Sequence, residues 1–258
     1  MNENAARRID RDGNPKRKLT LLKSVSFTKR QRVYFVVKRL LDVIFSGVLL
    51  AVLSPLLAVI AVAVKCSSCG PIIFRQKRVG RYGNLIKVYK FRTMSVNTPN
   101  VATADLDDPN RFITPVGRLL RDTSLDELPQ LLNILRGDMS FVGPRPLIPA
   151  EEEIHIRRME KGVYYLRPGM TGLAQINGRD LVSPELKVAF DAEYLKRFGF
   201  KMDWAILTHT VGTVLKRDGI VEGSGQPEEA APAPKAEDSS GEVEKQQNYR
   251  QACKIKID

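Results

Sequence analysis

Histidine chemistry has almost nothing to draw on in this chain: 258 residues hold two histidines, His155 and His209, with no ligand spacing between them. No G-x-S-x-G, H-E-x-x-H or Walker A pattern occurs, so serine-hydrolase triads, helix-borne zinc hydrolysis and P-loop phosphate binding lack their usual carriers. Three cysteines, Cys66, Cys69 and Cys253, are too few for a disulfide framework. Cys66-x-x-Cys69 lacks the second ligand pair of a structural zinc site and reads as two thiols in a reducing cytoplasm. Aromatic content is low at 7% and no nucleic-acid motif is present, which argues against a nucleic-acid partner. The formal charge of +12, from 41 Lys and Arg against 29 Asp and Glu, still demands an anionic partner. Most of the excess lies in the first 100 residues, around an apolar segment, which favours a lipid surface.

Charge of either sign is missing altogether from Val43 to Val64, 22 consecutive residues. At a helical rise of about 1.5 Å per residue this run reaches roughly 33 Å, enough to cross a hydrocarbon core of about 30 Å. The flanks argue for a different geometry. Met1 to Asp42 carries twelve Lys and Arg against four acids, and Lys65 to Asn100 carries eight against none. Positive flanks prefer the cytoplasmic side, and a single span must place one of them outside. A helix that enters, breaks at Ser54-Pro55 and returns satisfies both; proline removes a backbone donor, and Ser54 can bond a carbonyl left without a partner. An ordinary span with a mild kink is the competing geometry, and the charge bias decides against it. The 42-residue basic lead and the length of the run exclude a signal peptide.

Residues 1–30 are basic and aperiodic, and the composition collapses to Pro, Ala, Glu, Ser and Gln after Gly223; both read as disordered. Residues 31–65 form the membrane helix, 66–222 a folded domain and 223–258 a tail. Within the domain, Ile72–Val79 and Leu85–Arg92 read as a β-hairpin around Gly80–Asn84. Residues 115–136 read as two helical pieces separated at Asp122-Thr123-Ser124, and 150–162, 184–198 and 203–217 as further helices. In the last of these Trp204, Leu207, Val211 and Val214-Leu215 share a face, expected to pack on the core rather than lie on a membrane.

Chemistry is left to carboxylates and arginines. Ser124-Leu125-Asp126-Glu127 has the spacing of a capping box, which puts Asp126 in a first helical turn where the dipole favours its ionised form. A carboxylate held there can bind a metal or attack phosphorus, although acids are common at such positions. Lys90-Phe91-Arg92, Gly143-Pro144-Arg145-Pro146 and Asn177-Gly178-Arg179 add cations on a hairpin and on stiff loops, where the planar guanidinium suits phosphate oxygens. Arg39 and Asp42 can pair with each other at the membrane entry.

Five segments together resemble the bacterial sugar transferases, the monotopic polyprenyl-phosphate phosphoglycosyl transferases. They are Lys38-Arg39-Leu40-Leu41-Asp42 before Ser54-Pro55; Val88 to Met94; Ser124 to Leu131; Gly137 to Pro146; and Arg167 to Gly172 running on to Asn177-Gly178-Arg179. The likeness covers about residues 32–222 and matches the small form without a multi-span N-terminal region. It implies an α+β, mostly helical monotopic membrane domain with a re-entrant helix, a β-hairpin and surface amphipathic helices. It implies transfer of a sugar 1-phosphate from a nucleotide-sugar, usually a UDP-sugar, to undecaprenyl phosphate at the cytoplasmic face of the bacterial inner membrane, with both termini cytoplasmic. By resemblance Asp126 is the nucleophile and a Mg²⁺ ligand, with Glu127 assisting. Arg145, Arg179, Lys90 and Arg92 are the candidates for holding phosphate. A membrane-tethered scaffold that binds anionic lipid without catalysis is the alternative.

Overall fold

The computed structural model describes residues 24–96, 98, 111–178 and 183–216, with the side chains of 213–216 excepted. The basic lead to residue 23, the tail, Arg179 and most of the polar segment before Arg111 lie outside the described residues.

Helix α1 runs from Lys29 to Ser67, and among the described residues it is the one helix long and apolar enough to cross a membrane. Its first turn is closed by a capping box: the Gln31 N–H donates to Thr28 Oγ1 and the Thr28 N–H donates to Gln31 Oε1. Pro55 lies inside α1 and the helix continues through it, so the expected break at Ser54-Pro55 is not an interruption. Proline at 55 leaves the Ala51 carbonyl, four residues back, without its N–H. The Ser54 hydroxyl donates to that oxygen at 2.8 Å, which replaces the missing bond and lets the helix proceed.

One stripe of α1 is covered along the whole uncharged run. Asp42, Ser46, Leu50, Leu53, Leu57, Ile60 and Val64 recur at steps of three or four and share a face. Leu50 and Leu53 pack with Val88, Leu131, Ile134 and Met139, whereas Leu57, Ile60 and Val64 pack with Ile73, Phe91 and Leu120. The opposite stripe, with Val48, Val52, Val59 and Val62, is more than half exposed.

Strands β1 (Ile73–Val79) and β2 (Leu85–Phe91) form the expected antiparallel hairpin, in register Phe74↔Lys90 through Val79↔Leu85. Helices α2 (Pro115–Asp122) and α3 (Gln130–Arg136) follow. The amide of Asn133, fully buried on α3, takes the place of a third strand: its Nδ2 donates to Lys87 O at 2.7 Å and its Oδ1 accepts from Tyr89 N at 3.0 Å. A short parallel pair, β3 (Ser140–Val142) and β4 (Gly169–Thr171), brings two motif loops together. The approach is so close that a Cβ on Gly143 meets Arg167 O at 2.4 Å, so only glycine fits there. Helices α4 (Glu152–Lys161), α5 (Leu173–Ile176), α6 (Pro184–Arg197) and α7 (Phe200–Lys216) complete the domain.

Polar contacts tie both ends of α1 to this domain. Tyr34, Lys38 and Tyr194 all donate to the buried Asp203 carboxylate. Arg39 donates to Ile134 O at 2.6 Å and Leu135 O at 2.9 Å, placing a cation on the last carbonyls of α3. Asp42 accepts from the Phe141 N–H at 3.1 Å, so Arg39 and Asp42, which the sequence allows to pair, take separate partners. Asp203 also fixes the rotation of α7. The packed face is Met202, Asp203 and Ile206, whereas Trp204 and Val211 are 60% and 59% exposed. Of the stripe expected to meet the core, Trp204 and Val211 therefore face outward and Leu207 is half-buried, because burying the carboxylate with its three donors sets the turn of the helix; the side chains of Val214 and Leu215 lie outside the description. Replacing Asn133 by alanine leaves a strand N–H and C=O unpaired and is expected to cost about 2 kcal/mol, or roughly 4–8 °C of Tm in detergent-solubilised protein; thermal unfolding measures it.

Candidate active site

The Ser124 to Glu127 segment does not form a capping box. Ser124 adopts φ 55° and ψ 17°, its side chain caps nothing, and Asp126 and Glu127 sit in a 3-10 turn, Leu125–Glu127. Pro129 has no N–H to donate, so the turn cannot merge into α3. Leu125 and Leu128 pack on the cluster containing Ile60 and Val64 of α1, which anchors the turn to the apolar helix.

Four of the candidate residues converge here. Lys90 Nζ lies 2.7 Å from Glu127 Oε1 and 3.9 Å from Asp126 Oδ2, and Arg145 Nη1 lies 3.8 Å from Glu127 Oε1. Glu127, Lys90 and Arg145 line an open cleft of about 390 Å³. Asp126 is only 7% exposed and lies beside Lys90. Arg92 is not brought to the cleft. Its guanidinium is buried and donates to Val64 O, Ser68 O and Pro71 O at 3.0, 2.6 and 2.7 Å, closing the C-terminus of α1. Arg179 lies outside the described residues, and Ser54 and Pro55 belong to the helix, not to the cleft. Cys66 and Cys69 are free and exposed.

Two further groups line the cleft that sequence reasoning missed. Arg78 and Gln76 share the Lys90 face of the hairpin through the Phe74↔Lys90 register. Arg78 donates to Gln76 Oε1 at 3.0 and 2.6 Å and to Pro146 O at 3.3 Å. Burial, then the neighbouring Arg145 charge, lowers the Arg78 pKa to about 10, so it stays cationic at neutral pH. The available signal was the period-two pattern in Phe74, Gln76 and Arg78, obscured by basic residues on both faces of that strand.

The Arg145 loop is held from behind. Gly143 N donates to Thr171 O at 2.8 Å, Gly169 N donates to Pro144 O at 2.9 Å, and Arg158 Nη1 donates to Arg145 O at 2.9 Å. Arg158 is itself paired, its Nη2 standing 2.6 Å from Asp191 Oδ2, with both side chains 2% exposed. Burial raises the Asp191 carboxyl pKa, opposed by the Arg158 charge. Neither residue carries a local sequence signal, since their meeting depends on how α4 packs on α6.

Two carboxylates facing three cations and a glutamine suit a substrate whose charge is concentrated on phosphates. The carboxylates also fit Mg²⁺, which takes one or two protein carboxylates and fills its remaining positions with phosphate oxygens and water. Among the described residues no group of three or more His, Cys, Asp or Glu could hold a metal alone.

A model of the family described as bacterial sugar transferase matches residues 33–217. An undecaprenyl-phosphate galactose phosphotransferase of Salmonella typhimurium is 42% identical over 199 residues, covering 70% of this chain and 41% of its own. A UDP-glucose:undecaprenyl-phosphate glucose-1-phosphate transferase of Escherichia coli is 46% identical over 185 residues, 67% of this chain and 39% of its own. A protein of the same description from Caulobacter vibrioides is 41% identical over 190 residues, 70% of each chain. The match thus spans about two fifths of the Salmonella and Escherichia proteins.

The buried pair behind Arg145 has a double-mutant signature. Arg158→Met alone leaves an uncompensated buried carboxylate and is expected to cost about 3–5 kcal/mol, whereas Arg158→Met/Asp191→Leu recovers most of that loss; denaturant unfolding of both variants measures the difference.

Proposed function

Because the chain belongs to the bacterial sugar transferase family, we propose that it transfers a sugar 1-phosphate from a nucleotide-sugar, a UDP-sugar by likeness to its relatives, to undecaprenyl phosphate. The observation that carries this reading is the convergence of Asp126, Glu127, Lys90, Arg145 and Arg78 at a turn whose leucines join the same apolar cluster as Ile60 and Val64 of α1. A soluble phosphorylated donor and a lipid-borne phosphate can meet only at such a place.

The reaction runs in two displacements. A carboxylate oxygen of Asp126 attacks the phosphorus that bears the sugar, and the bond from that phosphorus to the nucleoside monophosphate breaks. A phosphate oxygen of the acceptor then attacks the same phosphorus, and the aspartyl oxygen leaves as the free carboxylate. Lys90, Arg78 and Arg145 offset the charge of an anion approaching an anion and orient the phosphate oxygens. Asp126, with Glu127 beside it, would hold Mg²⁺, whose contribution is to neutralise phosphate charge. Glu127 orients Lys90 through their 2.7 Å contact.

The way α1 is held supports attachment to a membrane from one side. Gln31 at its start donates to Lys196 O, Arg92 closes its end, and the stripe between is packed on the same domain. A helix bound to one domain at both ends and along its length supports a monotopic arrangement at the cytoplasmic face, with the exposed stripe in lipid and both ends on one side. Trp204, 60% exposed and stacked with Phe200, has the composition of an interfacial anchor.

Asp126→Asn is expected to abolish turnover and to prevent any phosphosugar adduct, whereas Glu127→Gln lowers the rate at least 10²-fold but still forms the adduct slowly; mass spectrometry of protein incubated with donor alone reads both. Wild-type protein should release UMP from UDP-sugar before acceptor is added. Nucleotide release that requires both substrates would replace the covalent route with direct transfer, and lipid binding without any release would leave a scaffold. Cysteines placed at residues 26 and 98 are expected to react with an impermeant thiol reagent from the cytoplasmic side only; labelling of residue 26 from outside would make α1 a span.

A further inference from the structure

The two faces of the hairpin differ in what they meet. Phe74, Gln76 and Arg78 on β1 and Lys90 on β2 face the cleft. On the other face, the first rung, Ile73↔Phe91, packs against Ile60 and Val64 of α1. The next two rungs on that face are Arg75↔Tyr89 and Lys77↔Lys87, with Arg75, Lys77 and Lys87 exposed. Two lysines directly opposite one another repel and weaken the pairing they sit on. Among the described residues none of these three cations has a carboxylate within ion-pairing distance. The patch is extended from α3 by Arg136. Its Nη1 donates to Tyr89 Oη at 2.8 Å, and its guanidinium lies 5.3 Å from the Tyr89 ring centre, with that of Arg75 at 5.8 Å.

We propose that this reverse face of the hairpin is a docking surface for anionic phospholipid headgroups. Charge complementarity selects an anion, because four cations gather and the adjacent carboxylate, Asp138, lies against the Asn133 amide at 3.4 Å and forms an ion pair with none of them. Continuity with α1 selects a lipid, because the rung before the patch is already packed on the apolar helix. On the next rung of the same face Leu85 is 52% exposed while its partner Val79 is buried with Met159 and Tyr164, which bounds the patch there, and Leu132, 40% exposed, lies one turn from Arg136. A half-buried tyrosine between guanidinium groups, flanked by exposed leucines, is the composition of a membrane interface. The cleft opens on the opposite face of the sheet, so headgroups here do not compete with the proposed reaction, and the proposal does not rest on it.

The test uses the full chain purified in neutral detergent with phosphatidylcholine and phosphatidylglycerol at equal mole fractions, then re-isolated for quantitation of the retained lipids. Wild-type protein retains phosphatidylglycerol in excess, and Lys77→Gln/Lys87→Gln lowers that ratio about tenfold. Arg75→Gln, one rung closer to α1, gives a smaller fall of the same sign and covers a folding defect in the double variant. Lys161→Gln/Lys196→Gln, which removes equal charge from exposed positions on α4 and α6, keeps the wild-type ratio. Inorganic phosphate at matched ionic strength also leaves it unchanged. An unchanged ratio in both hairpin variants, an equal fall in the control, or displacement by inorganic phosphate would overturn the proposal.

Discussion

The side-chain amide of Asn133 is the contact on which the cleft depends. A two-stranded hairpin is marginal alone, and its free edge exposes a row of unpaired backbone groups. Asn133 occupies that edge at Lys87 and Tyr89, one residue before Lys90, from the helix that begins just after Glu127. The distance between the Lys90 ammonium and the two carboxylates is therefore set by one buried amide with both its polar ends matched. The backbone oxygen of the same residue accepts the N–H groups of Gly137, Asp138 and Met139, and so also shapes the exit of the chain toward the Arg145 loop.

Arginine does structural work at two helix ends and leaves its chemistry for the cleft. Arg39 satisfies the last carbonyls of α3, and Arg92 those of α1. Each places a cation where the helix dipole is negative and adds donors to the carbonyls of the last turn. Near a low-dielectric surface such bonds are stronger than in water, which suits a domain fastened to an apolar helix. Arg78 and Arg145, by contrast, line the cleft, Arg78 held by Pro146 O and Gln76, and the Arg145 backbone held by Arg158, which donates to its carbonyl.

Much of this was legible in the chain, for identifiable reasons. The hairpin showed because its strands alternate around a Gly-bounded turn, and the apolar helix because charge vanishes for 22 residues. Asp126, Glu127, Lys90 and Arg145 could be picked out because motif loops carry them. What stayed hidden depended on partners distant in sequence. Arg92 sits two residues from Lys90, and only the end of α1 shows that its guanidinium points away from the cleft. Ser124 satisfies the spacing of a cap, yet a left-handed backbone and Pro129 prevent one, whereas Thr28 and Gln31 form the real box. The rotation of α7 was unreadable because one buried aspartate outweighs a tidy apolar stripe, and the Arg158–Asp191 pair exists only after two helices have packed.

The Ser54 to Ala51 contact also separates the shape of α1 from its solvation. Where a proline opens a helix in lipid, the freed carbonyl normally needs water or a neighbouring chain. Here the donor is the adjacent side chain, which moves with the turn that carries it. Flexing the helix at this point breaks no backbone hydrogen bond and turns no bare oxygen toward hydrocarbon. The middle of α1 is thus a joint that is already sealed, and because Leu53 and Leu57 on either side of it stay seated on the domain, the proline costs the packed stripe neither its continuity nor its partners.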